Sequence, residues 1–322
     1  MKDTILVTGA AGFIGSHLCE ALLREGYAVI GIDNFDEFYP RRIKEANLIA
    51  SLQQADFSFL EGDAGDKALL NSISAKVDVV VHLAAKAGVL PSLRNPEAYI
   101  KTNIGVTNNL LEWMKEKELK KLVFASSSSV YGNNAQIPFR ESDVADEPIS
   151  PYAFSKRSSE LMNYTYHSLY DFDIINLRFF TVYGERQRPD LAIHKFVRAI
   201  MDGQPIKIYG DGKTARDYTY YADTVRGVIS AVRYIQTHEN VFETFNLGNH
   251  NPVYLIDLIQ TIASVCGVEP VLHFEDMKPG DVNITYASID KAGEVLGYNP
   301  QFDLRTGIEN FVSWYKQENV VA

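Results

Sequence analysis

Several things are scarce in this chain, and each scarcity removes a class of function. Its 322 residues contain two cysteines, Cys19 and Cys266, far apart and in no CxxC pair. A structural zinc site and a disulfide framework are therefore not expected, and no metal is assigned. Positive charge is also short, since 31 Lys and Arg face 41 Asp and Glu for a formal charge of -10. Nucleic-acid binders carry a basic face, so that class is set aside. An anionic substrate would need a local cluster of cations. No apolar run approaches the roughly 20 residues that span a bilayer. The chain enters the apolar run Ile5 to Val7 with no signal-peptide pattern before it, which gives a cytoplasmic expectation. No repeat recurs at a fixed period. What remains is 46% hydrophobic residues with 17 Phe and 18 Tyr, enough for a large core in one domain or two intimate ones.

The first motif follows that apolar run. Gly9, Gly12 and Gly15 stand between a strand-like segment and a helical pattern through Leu18, Leu22 and Leu23. Strand, glycine loop and helix form the context of a phosphate-cradling turn. Gly9 permits the tight turn, Gly12 close approach of a pyrophosphate, and Gly15 close packing of helix on strand. Phe13 and Ile14 lie at the helix N-terminus, whose free N–H groups attract an anion. The bland alternative is a glycine-rich turn without a ligand. A second strand, Tyr27 to Ile32, ends in Asp33 and Asn34, 18 residues past Gly15 in the case of the acid. A carboxylate there holds ribose hydroxyls and repels a 2′-phosphate, favouring NAD over NADP. The segment 41–55 is read as a helix with exposed charges, and Phe57 to Asp63 as a third strand whose end brings Asp63 and Ala64 towards an adenine.

Val77 to Ala85 reads as a buried parallel strand, with Leu83, Ala84 and Ala85 small or apolar enough for a ligand to come close. His82 within it is expected to be a satisfied core residue. Asn103 to Lys117 has helical periodicity, and Leu122 to Ala125 forms a fifth strand leading into Ser126, Ser127, Ser128 and Ser129. A serine run is usually a linker, but ligands bind at the carboxyl ends of strands in open α/β sheets. Ser150-Pro151 then starts a helix carrying Tyr152 and Lys156, an i, i+4 pair on one face. A nearby ammonium favours phenolate, so the pair suits removal of an alcohol proton. The aromatic excess of this helix, including Phe154 and Tyr164, is read either as core packing or as a dimer interface.

Together these motifs resemble the extended short-chain dehydrogenase/reductases, and more narrowly the NAD-dependent nucleotide-sugar epimerases and dehydratases. The resemblance implies an α/β fold: a Rossmann-type doubly wound parallel sheet with a smaller, mixed α/β substrate-binding domain. The expected division is 1-178 for NAD, with returning segments near 217-248, and 179-322 for a nucleotide sugar. It implies catalytic roles for Ser127, Tyr152 and Lys156, with Lys156 on the nicotinamide ribose, Asn103 near the cofactor and Phe179 beside the nicotinamide. Dehydratases carry an Asp-Glu pair after the catalytic hydroxyl, and uronate decarboxylases a Glu before Val-Tyr-Gly. Here Ser128 and Ser129 precede Val130, Tyr131 and Gly132, which points to epimerisation.

Phe179 to Asp190 resembles the signature of the UDP-glucuronate 4-epimerases, where Thr181 and Arg188 would hold the sugar carboxylate together with Ser128 and Ser129. A guanidinium suits that role through paired, planar hydrogen bonds. The resemblance further places Tyr209 and Arg216 around the uridine diphosphate, Lys278 on phosphate and Asp281 on a ribose hydroxyl. Thr285 matches a gate position beside the sugar, and Leu90 stands where acidic-sugar epimerases carry Arg. A UDP-sugar substrate and a homodimer are the implied partners. Epimerisation of UDP-glucose or UDP-N-acetylglucosamine, decarboxylation, and a silent NAD-binding regulator are the rival readings.

Overall fold

The computed structural model describes residues 2–276 and 283–320, the last two without their side chains. Lys278 and Asp281 lie outside the described residues. Seven strands form a wholly parallel sheet: β1 Thr4–Thr8, β2 Ala28–Asp33, β3 Phe57–Glu61, β4 Val79–His82, β5 Lys121–Ser127, β6 Asp173–Phe179 and, from late in the chain, β10 Phe242–Leu247. Their order is β10-β6-β5-β4-β1-β2-β3, so the winding reverses between β1 and β4. Ligands of doubly wound sheets bind at such a switch point.

Continuous apolar runs make these strands, because both faces are covered. On one face the helices Phe13–Arg24 and Tyr221–Thr237 bury Leu18, Leu22, Val225, Val228 and Val232. On the other, Thr107–Glu116 and Pro151–Tyr170 bury Leu110, Leu111, Met114 and Tyr166. The helix at Pro151 begins as its sequence implies: Pro151 occupies the first turn and the Ser150 hydroxyl accepts from Ala153 N at 3.1 Å. It ends at Asp171 in the left-handed region, φ 55°.

The remaining strands make two small sheets. β7 Thr181–Tyr183, β9 Ala215–Tyr220 and β11 Pro252–Tyr254 form one in the order β11-β9-β7, and β8 Ile206–Tyr209 pairs with β12 Leu272–Glu275. A third core joins them to the helices Ala192–Met201, Leu255–Cys266 and Leu304–Val320 through Val197, Ile200, Ile259, Ile262, Ile308 and Phe311. Thus β10 and the helix Tyr221–Thr237 return from the second half of the chain to complete the first sheet.

The helical stretch expected from Asn103 opens as a π-helical turn, Ile100–Val106, and becomes an α-helix at Thr107. One expectation needs correction. The helix Arg41–Leu52 stops before Ala55, and its Lys44 is buried rather than exposed. Lys44 Nζ reaches back to the Asp36 carbonyl at 2.6 Å and lies 4.6 Å from the Tyr39 ring centre, so tertiary contacts outweigh the polar look of the segment.

Candidate active site

The glycine loop sits at the switch point because β1 and β4 are neighbours. Gly9 has φ +75°, and its N–H donates to the Ile32 carbonyl at 2.8 Å. A Cβ on Gly9 would stand 2.9 Å from Ala84 N, and one on Gly15 would stand 2.0 Å from Gly9 O. These contacts force glycine at both positions. A cavity of about 520 Å³ opens here, lined by Gly9, Gly12, Phe13, Ile14, Gly15, Asp33, Asn34, Asp63, Ala64, Leu83, Ala84, Ala85, Tyr152, Lys156 and Phe179. Every expected cofactor residue except Asn103 is there. The Asn103 side chain is fully engaged elsewhere: Oδ1 accepts from Lys86 N at 2.7 Å, and Nδ2 donates to Lys86 O at 3.0 Å and Ser155 Oγ at 2.9 Å. It braces the wall instead of lining it.

Asp33 is held in place by the backbone, accepting from Ala11 N at 3.0 Å and Phe35 N at 2.8 Å. Burial raises its pKa despite those donors. Each carboxylate oxygen keeps a lone pair for a ribose hydroxyl. Asp63 Oδ1 takes Gly65 N at 2.7 Å, which fixes the turn beside the cavity. His82 is a core residue, touching the hydroxyls of Thr8 at 2.7 Å and Thr107 at 3.1 Å, and burial drives its pKa down to about 3. Sequence reading missed Asp36, Phe38, Tyr39, Lys44 and Lys86 on the same cavity. Lys86 Nζ pairs with Asp36 at 2.7 Å across a 50-residue gap in sequence, which no local pattern reveals.

A smaller cavity of about 200 Å³ adjoins it through shared walls at Tyr152 and Phe179. Ser127, Ser128, Ser129, Thr181, Arg216 and Thr285 also line it. Ser127 faces Phe179 across the β5–β6 ladder. Its Oγ accepts from Ser129 N at 3.2 Å and meets Ser129 Oγ at 2.9 Å. Burial raises the Tyr152 pKa, opposed by a hydrogen bond with Ser127 and by the charge of Arg188. Lys156 Nζ donates to the Ala125 carbonyl at 2.7 Å; burial lowers its pKa to about 8, against the pull of Glu160. Lys156 is thereby anchored to the strand that carries the serines. Behind them, Glu160 accepts from Ser126 Oγ at 2.6 Å and from Arg178 at 2.9 Å twice, all three buried. This ion pair ties the Tyr152 helix to the ends of β5 and β6.

A third cavity, about 710 Å³, carries Thr181, Tyr209 and Arg216 with Gln187, Asp190, Lys195, Phe196 and Arg198. Lys195 and Arg198 were not anticipated; their i, i+3 spacing on one helix face was the available signal. Arg188 lines the glycine-loop cavity, paired with Asp190, while Thr181 lines the other two. Thr285 is buried and its hydroxyl accepts from Asp217 N at 3.1 Å. Leu90 is exposed and lines none of the three cavities.

The surroundings fit a dinucleotide: glycine backbone for a pyrophosphate, a fixed carboxylate for a ribose, and a Tyr-Lys pair at the far end. The described residues contain no candidate metal cluster and no helix long and apolar enough to cross a membrane. Comparison with known proteins agrees. Residues 5–248 match the model of the NAD dependent epimerase/dehydratase family. An uncharacterised protein of Methanocaldococcus jannaschii is 43% identical over 97% of this chain and 95% of its own length. The UDP-glucuronate 4-epimerase of Thermodesulfobacterium geofontis is 40% identical over 97% of this chain and 96% of its own. Among solved structures, the UDP-glucuronic acid 4-epimerase of Bacillus cereus in complex with UDP-glucuronic acid and NAD is 37% identical, with a TM-score of 0.92 over 98% of this chain and 99% of that one. With its fold, its glycine loop and its Ser-Tyr-Lys cluster in agreement, the chain belongs to the NAD dependent epimerase/dehydratase family.

Proposed function

We propose that this protein is an isomerase, an NAD-dependent UDP-sugar 4-epimerase whose substrate is UDP-glucuronate and whose product is UDP-galacturonate. The observation that carries the reaction type is the small cavity, where Tyr152 and Ser127 meet while Ser128 and Ser129 stand in place of carboxylates. Without an acid at those positions, the site lacks the carboxylate pair that the dehydratases carry for water elimination. The names and ligands of the relatives support the uronate.

Bound NAD supplies the hydride chemistry, accepting hydride from sugar carbon 4 and returning it to the other face. Gly9, Gly12, Gly15 and Asp33 would hold it, with Phe179 at the nicotinamide end. Tyr152 as phenolate takes the proton of the sugar 4-hydroxyl and later gives one back. Ser127 accepts the Ser129 backbone N–H, which leaves its own proton directed to another acceptor such as Tyr152 or the sugar oxygen. Lys156 keeps its ammonium close by, anchored on Ala125. Tyr209, Arg216, Lys195 and Arg198, which share the third cavity, would hold the diphosphate side, together with Lys278 and Asp281. The 4-keto uronate is a β-keto acid that loses carbon dioxide when its carboxylate bond aligns with the carbonyl π system. Arg188, Thr181 and the serine hydroxyls hold the carboxylate out of that alignment.

A homodimer is part of this reading. Phe154, Leu161 and Tyr164 lie 7 and 3 residues apart on the helix Pro151–Tyr170 and remain 47%, 54% and 55% exposed. Such a stripe favours a partner helix; a species of monomer mass in sedimentation overturns it. Incubation with UDP-glucuronate, UDP-glucose and UDP-N-acetylglucosamine, with products identified by NMR, tests the activity. UDP-galacturonate forms fastest, and Tyr152→Phe abolishes it while NAD stays bound. Formation of a UDP-pentose, or turnover of UDP-glucose alone, overturns the assignment.

A further inference from the structure

Arg188 is already occupied by a carboxylate. Its Nε and Nη2 each bond an oxygen of Asp190 at 2.9 Å, a bidentate pair separated only by Pro189. The pair stands in a wall between two cavities. Arg188 lines the glycine-loop cavity beside Tyr152, and Asp190 lines the third cavity on the side of Thr181. The Arg188 side chain is 17% exposed and its guanidinium lies 5.0 Å from the Phe38 ring centre, so little water reaches the charge. Lys195, on the next helix, adds a positive field around Asp190.

We propose that Asp190 is a specificity-determining residue, an internal stand-in for the carboxylate of an acidic sugar that keeps Arg188 paired when the bound sugar is neutral. The proposal rests on the uronate reading above and adds a control to it. A sugar seated beside Tyr152 displaces water from the Arg188 side of the pocket. A guanidinium left there without a partner is strongly unfavourable, because its lost hydration is not replaced. With Asp190 in the fork, a neutral hexose meets no such obstacle. A uronate brings its own carboxylate and must compete with Asp190 for the same donors, or share the guanidinium against the repulsion of a second anion. Asp190 therefore narrows the gap between acidic and neutral substrates. Removing its charge widens that gap from both sides.

The test uses the full chain loaded with NAD and carrying Tyr152→Phe, so that binding is measured without turnover. Calorimetry gives the affinities of UDP-glucuronate, UDP-glucose and UDP with Asp190 intact, as Asp190→Asn and as Asp190→Ala. Each sugar is taken relative to UDP, so a general disturbance of the nucleotide site cancels. In both variants the preference for UDP-glucuronate over UDP-glucose should rise at least ~10-fold. An unchanged preference, or one moved towards UDP-glucose, overturns the proposal and makes Asp190 a mere support for Arg188. A failure of the uronate reading is seen separately, as absent conversion of UDP-glucuronate with Asp190 and Tyr152 both intact.

Discussion

The glycine-loop cavity and the pair of cavities beyond Tyr152 are built from different materials. At its glycine end the first is made of backbone and small side chains at the ends of parallel strands, where Gly9 and Gly15 leave no room for a single carbon. Serine and threonine hydroxyls line much of the small cavity, and long polar side chains from loops and a helix, among them Gln187, Lys195, Arg198 and Arg216, line the third. A wall of backbone recognises what every dinucleotide shares. A wall of side chains can be altered one residue at a time, which suits it to the proposed choice of sugar. Phe179 and Tyr152 belong to both walls.

Perturbing each side should break the comparison in a different way. The largest effect is expected from Gly15→Ala, whose Cβ would stand 2.0 Å from Gly9 O. NAD retention should fall by more than ~100-fold, and all UDP-sugar conversion with it; spectroscopic NAD content after gel filtration reads this, and a loss confined to one sugar would contradict the division. Next comes Arg188→Ala, which should lower kcat/KM for UDP-glucuronate by ~30- to 100-fold and for UDP-glucose by less than ~3-fold. Equal losses would move carboxylate recognition elsewhere.

The smallest effect concerns pH and the joint between the two sides. Lys156 loses its proton as pH rises through about 8, so activity should decline on that alkaline side. The negative charge of Glu160 favours the ammonium, so Glu160→Gln should move the decline to lower pH. His82, neutral in the core, contributes no charge to this limb. A decline that stays in place in Glu160→Gln would show that another group sets it.

Parts of this site were legible because they depend on short-range geometry. Gly9, Gly12 and Gly15 announce themselves because a turn around a phosphate tolerates no Cβ. Tyr152 and Lys156 do so because a helix puts i and i+4 on one face. The serines after β5 could be placed because strand ends are where open sheets bind ligands. The partners of Asn103, Lys44 and Arg188 could not be read from the sequence, and for one physical reason. Each is a polar side chain whose role depends on which distant group it meets: Ser155 and Lys86, the Asp36 carbonyl, or Asp190 in a wall between cavities.

By itself, then, the sequence determined a nucleotide-binding α/β fold, the glycine loop and the candidates for moving a proton, since backbone constraints and helical periodicity are local. Tertiary structure alone decided that β10 returns to complete the first sheet, that Glu160 and Arg178 lock the reactive helix to β5 and β6, and that Arg188 already holds a carboxylate. Those outcomes depend on burial and on partners distant in the chain or set by the fold, where a charged side chain is worth whatever its neighbours make it.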